Sequence, residues 1–186
     1  MAEFVVTKAL VIKRTPKEND IAITLLTKKL GKIYVRANGA QKITSRRLGQ
    51  IQLGNIITAH LYRHQNNFWL SESLVESAFL QNNIGLSQSN LLFFTLEISN
   101  YLIPSELNQP EIFLIVCQII DNIKNNSFAK LINNEIKFLH LLGFGPPQEI
   151  ISAFNQKKYR HCQQLITAYF ESLTNHQFQS LKLFSP

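Results

Sequence analysis

The sequence predicts an α+β protein, with a five-stranded β-barrel first and an all-helical domain after it. Three observations carry that prediction. Up to about residue 80, short apolar runs rich in Val, Ile and Leu alternate with turn signals. Beyond that point the apolar residues recur at helical spacing. The change of period, near residues 78–86, divides the chain into domains at 1–80 and 81–186.

The strands follow in order. "FVVTKALVIKR" (4–14) is the first, and "KEND" (17–20) turns the chain. "IAITLLT" (21–27) is the second, with Ile21, Ile23 and Leu25 on one face. "KKLGK" makes a tight turn into "IYVRAN" (33–38). Residues 39–55, "GAQKITSRRLGQIQLGN", hold three Gly and few apolar pairs, and read as one long loop. Loops of that length inside a domain are usually functional. "IITAHLYR" (56–63), the turn "HQNN" and "FWLSESLVES" (68–77) complete a last hairpin. Five strands with one long middle connection suit a partly open Greek-key barrel, the OB-fold, whose surface commonly binds oligonucleotides.

The helices are expected at 86–103, 111–124, 127–143 and 161–174. Leu91, Phe94, Ile98 and Leu102 give the first its stripe, with Ser87 or Ser89 as its N-cap. Pro110 suits the first turn of the second, which is apolar around much of its girth. Ser127 and Gly143 bracket the third.

Charge is the most informative feature of the composition. Residues 1–80 hold 12 Lys and Arg against 5 Asp and Glu, while residues 81–186 hold seven of each. The whole net charge of +7 therefore lies in the barrel. No acidic residue occurs between Asp20 and Glu72. Soluble surfaces usually mix both signs, so a one-signed field points to a polyanion.

Enzyme chemistry finds little to work with. No GxSxG, HExxH or phosphate-loop motif occurs. His60 and His64 lie at a strand end, where four residues span about 13 Å, too far for one zinc ion. Cys117 and Cys162 are 45 positions apart and form no CxxC pair. The acid-free region excludes paired-carboxylate and two-metal chemistry from the basic face. The expectation is a non-enzymatic protein with no metal and no cofactor. "MAEFVVTKALVIKR" has no secretory leader pattern. The longest apolar run, "IFLIVCQII" (112–120), is about half of the roughly 20 residues that cross a bilayer. A cytoplasmic, nucleoid-associated protein with no membrane partner is expected.

A nucleic-acid surface is the better reading. In the third strand Ile33, Val35 and Ala37 face the core, and Lys32, Tyr34, Arg36 and Asn38 face outward. Two cations then flank one aromatic ring, which suits phosphates and a stacked base. Phe68 and Trp69 are adjacent, so one is core and the other lies outside. The loop adds Lys42, Arg46 and Arg47, placed to track a sugar–phosphate backbone without reading bases. Charge and alternation leave open an RNA-binding module, or a non-catalytic scaffold for acidic protein partners.

"TKALVIKRTPKENDIAITLLTKKLGKIYVRANGAQK" followed by "SRRLG" resembles the N-terminal region of the bacterial DNA-repair family RecO. "EIKFLHLLGFGP" (135–146) and "LITAYFESLTNHQFQSLKLF" (165–184) resemble later parts of that family. The resemblance implies an OB-fold followed by a helical domain. It implies binding of single- and double-stranded DNA and annealing of complementary strands. It also implies loading of recombinase onto strands coated by single-stranded-DNA-binding protein, together with RecR. Lys32 in "LGKI", and Lys42, Arg46 and Arg47 around "GA…SRRL", match its basic motif. Many members carry a four-cysteine zinc module after "GFGP". Here Cys162 stands alone in that stretch, which implies a short member without the module.

Overall fold

The computed structural model describes residues 3–40, 47–79, 84–105 and 107–178. The first strand, β1 (Glu3–Lys17), is long because it serves two neighbours. Its first half pairs antiparallel with β4 (Ile56–His64), and its second half with β2 (Asp20–Thr27). A bulge between Val11 and Lys13 lets one strand bend to serve both. There Val11 exchanges backbone bonds with Gly54 and Asn55, just ahead of β4, at 3.0 Å each.

β3 (Gly31–Ala37) pairs antiparallel with β2, and β5 (Asn67–Ser77) with β4. A short parallel contact, Val35↔Phe68 and Arg36↔Trp69, joins β3 to β5. The strand order β1-β2-β3-β5-β4 thus closes on itself. The sequence suggested a partly open barrel; the strands form a closed one. Alternate residues fill it, as the strand period requires. Ile21, Ile23, Leu25, Ile33, Val35 and Ala37 are buried there, with Ala59, Leu61, Phe68 and Leu70 from the other hairpin.

The stretch read as an uninterrupted loop at 39–55 contains a helical turn, α1 (Arg47–Gln50). Directly after it Ile51 is fully buried in the barrel core, and Leu53 packs against that core. Burying one Ile side chain contributes roughly 1.5–3 kcal/mol, which offsets part of the entropy lost in ordering the turn. Asn55 Nδ2 donates to the Gln50 carbonyl at 3.0 Å, and Ser73 Oγ donates to Gln50 Oε1 at 2.7 Å. These bonds give the backbone and side-chain oxygens of Gln50 their partners and tie the turn to Asn55 and to Ser73 on the last strand of the barrel.

The helices are α2 (Leu86–Leu102), α3 (Pro110–Lys124), α4 (Phe128–Leu141), α5 (Gln148–Asn155) and α6 (Tyr159–Thr174). α5 was not expected; it is only two turns long and buries Ile150 and Ala153. α2 starts one residue after Gly85, so neither Ser87 nor Ser89 is its cap. Instead Gln88 Oε1 accepts from the Gly85 backbone N–H at 3.0 Å, and Ser89 Oγ donates to the Gly85 carbonyl. Ser127 does stand at the N-cap position of α4, but its side chain makes no capping bond. Gly143, two residues beyond α4, is left-handed at φ +82°.

The chain groups into two compact units. One comprises Met1–Asn83 with Pro104–Phe113, the other Ile84–Ile103 with Leu114–Pro186. The segment at 104–113 therefore belongs with the barrel, although it lies past the boundary read from the sequence. In the second unit, Phe94 meets Phe170 and Phe178 edge-on, with ring centroids 6.0 and 5.3 Å apart. Among the described residues no helix is long and apolar enough to cross a membrane.

Candidate nucleic-acid interface

The outer face of β3 was expected to carry Lys32, Tyr34 and Arg36 together. Two of the three lie open: Tyr34 is 63% exposed and Arg36 is exposed two residues further on. Lys32 is only 5% exposed, which corrects the expectation. The physical reason lies in its neighbours. Leu10, Leu26 and Lys32 form one register row across the outer face of β1, β2 and β3, and all three are buried. β5 reaches β3 only at Val35 and Arg36, and Ser105 bridges alongside Lys32 where β5 does not reach. Burial disfavours the ammonium, so the Lys32 pKa is lowered.

Gly31 is part of the same arrangement. Its φ is +69°, and a Cβ there would lie 2.2 Å from the Leu107 carbonyl oxygen. The backbone approach that covers Lys32 thus needs a residue with no side chain. Of the predicted loop cations, Lys42 and Arg46 lie outside the described residues. Arg47 opens α1, and its side chain is likewise outside them.

The strand register adds residues that the sequence did not assemble. Phe4 on β1 opposes Tyr62 on β4, Tyr62 opposes Trp69 on β5, and Trp69 opposes Arg36 on β3. The Phe4 and Tyr62 ring centroids are 5.2 Å apart, and those of Tyr62 and Trp69 are 5.9 Å apart. Phe4 is 75% exposed; Tyr62 and Trp69 are half-buried. Of the adjacent pair Phe68 and Trp69, Phe68 is the core residue. The Arg63 guanidinium sits 5.2 Å from the Phe68 ring centroid, and its Nε donates to the Gln65 carbonyl.

Acids near this face are few. Lys8 Nζ donates to Glu76 Oε2 at 2.6 Å, and Thr58 Oγ1 donates to Glu76 Oε1. The Lys8 bond, then the Thr58 bond, hold the Glu76 carboxyl below its ordinary pKa. Glu72 opposes His60, and Glu3 opposes Arg63. Among the described residues no group of three or more His, Cys, Asp or Glu is placed to hold a metal ion. Cys117 and Cys162 form no disulfide, and burial first, then Glu135, pushes the Cys162 thiol up to about 11.

The comparisons with known proteins agree with the fold. Residues 1–78 match the family model described as recombination protein O N terminal. The chain is 26% identical over 154 residues to a DNA repair protein RecO of Dehalococcoides mccartyi strain 195, covering 81% of this chain and 61% of that protein. It is 27% identical over 143 residues to a DNA repair protein RecO of Dehalococcoides mccartyi strain BAV1, covering 75% of this chain and 56% of that one. The chain thus spans about three fifths of the length of these relatives.

Proposed function

We propose that this chain, RecO-like in sequence and in the order of its two folds, is a non-enzymatic DNA-binding protein of repair and recombination. In this reading it binds single- and double-stranded DNA through the barrel, in residues 1–80. It anneals complementary strands and helps load recombinase onto strands coated by single-stranded-DNA-binding protein, with RecR as a partner. The observation that carries the reading is a coincidence of position. The segment that matches the RecO N-terminal domain is also the one that holds the chain's entire positive excess.

Annealing makes and breaks no covalent bond. A cationic surface screens the repulsion between two strands and holds both loosely while bases pair. Arg36, with Lys42, Arg46 and Arg47, supplies that charge in this reading. The test is the salt dependence of binding. If about five phosphates are neutralised, the log–log slope on single strands is about −3.5. Arg36→Glu weakens binding of every sequence and flattens that slope. A flat salt response in the unaltered protein refutes the proposal. Equal-length RNA that competes better than DNA moves the reading to an RNA-binding module.

A further inference from the structure

OB-folds commonly bind oligonucleotides across strands 2 and 3. Here part of that face is closed, because Thr24, Leu26 and Lys32 on the outside of β2 and β3 are all buried. The open outer surface begins at Tyr34 and Arg36 and continues the other way round the barrel. It runs through Trp69 and Tyr62 to Phe4. We infer that this row, Arg36–Trp69–Tyr62–Phe4 with Tyr34 beside it, is a base-stacking track for single-stranded nucleic acid. The inference rests on the DNA-binding reading above and assigns it a path and a preference for unpaired strands.

The chemistry fits that occupant. Four strands are crossed, and neighbouring strands lie about 4.8 Å apart, so the row is about 14 Å long. That is room for about two or three unstacked bases, a part of one OB-fold site of about 4–16 nucleotides. The rings are tilted against one another by 53° and 48°, so they do not stack face to face among themselves. Phe4 at 75% exposure forgoes the burial that a Phe normally gains, and nothing in the barrel core requires an aromatic there. Charge complements the track: Arg36 stands at one end, and the chain from Ile21 to Ser71 contains no carboxylate side chain. Glu72, opposite His60, borders the β5–β4 part of the face, so the cationic end of the row is at Arg36.

Trp69 is the one tryptophan in the sequence, so its emission reports on this row alone. The full chain is titrated with a twelve-nucleotide oligo(dT) and with a twelve-base-pair duplex, while anisotropy of dye-labelled DNA follows binding. The expected result is quenching of Trp69 by the single strand and little quenching by the duplex, whose bases are already stacked. Phe4→Ala, at an exposed position, lowers single-strand affinity by roughly 5- to 150-fold and leaves duplex affinity unchanged. Binding by anisotropy with no quenching, and with Phe4→Ala equal to wild type, overturns the stacking track and leaves the DNA-binding reading standing. Failure of both DNAs to bind overturns both readings. Loss of duplex and single-strand affinity in equal measure also overturns the track, because a stacking site discriminates between them.

Discussion

Gln163 Nε2 donates to Glu135 Oε1 at 3.3 Å inside the helical unit, and the other oxygens of this pair, Glu135 Oε2 and Gln163 Oε1, have no partner among the described residues. Glu135 is 1% exposed. Burial pushes its carboxyl up from 4.5 to about 8, against the opposing pull of the Gln163 bond. At neutral pH the group therefore carries a proton. Protonation turns one orphaned acceptor of the carboxyl into a donor.

The sign of the pH effect follows from linkage. The folded chain keeps a proton that the unfolded chain releases above about pH 4.5. Stability is therefore lost as pH rises from about 4.5 to about 8, and changes no further above that. Each pKa unit corresponds to about 1.4 kcal/mol, so the loss is on the order of a few kcal/mol. Glu135→Gln removes the titration while keeping the shape. Urea unfolding at pH 5, 6.5 and 8 checks this. The variant should be flatter across the series and more stable than wild type at pH 8. Parallel curves for the two proteins would show that Glu135 is ionised in the fold.

Gly31→Ala tests the close approach beside β3. The added Cβ would meet the Leu107 carbonyl oxygen at 2.2 Å, and a backbone atom cannot swing aside as a side-chain tip can. The left-handed φ of +69° adds strain for any residue with a Cβ. Together these cost at least about 2 kcal/mol. A thermal melt should fall by at least about 4 °C for a chain of this size. An unchanged melting temperature would mean that Leu107 does not lie against Gly31.

What the sequence made legible was whatever depends on local period. Parity along β3 correctly sent Ile33, Val35 and Ala37 to the core. The same parity put Lys32 and Arg36 on one outer face, yet one is buried and the other exposed. Parity names a face but not what covers it, and Ser105 and Leu107 come from more than 70 residues away. The track of Phe4, Tyr62 and Trp69 was hidden for a related reason. Its members are set side by side by strand register, which the sequence between them does not encode locally. Ile51 was missed because a four-residue turn has no period to read; its signal was a short cluster of apolar residues, Leu48, Ile51 and Leu53, in a mostly polar stretch. α5 was missed because Ile150 and Ala153 are too few to establish a stripe.

Lys32→Met separates burial from contact. Lys32 and Arg36 have the same strand parity, and the family resemblance would favour Lys32 of the two. Burial argues the reverse, since a side chain that is 5% exposed cannot reach a phosphate without uncovering itself. Methionine has similar length and no charge, so it fills the same space under the covering segment. Single-strand affinity and the log–log salt slope should match wild type for Lys32→Met, because no counterion is released at that position. Arg36→Met, at an exposed site, should lower affinity and make the slope shallower by about 0.7, the share of one phosphate on a single strand. Both variants are checked for an unchanged far-ultraviolet spectrum before titration. If Lys32→Met loses as much slope as Arg36→Met, then Lys32 is uncovered when DNA binds, and the covering segment moves in that step.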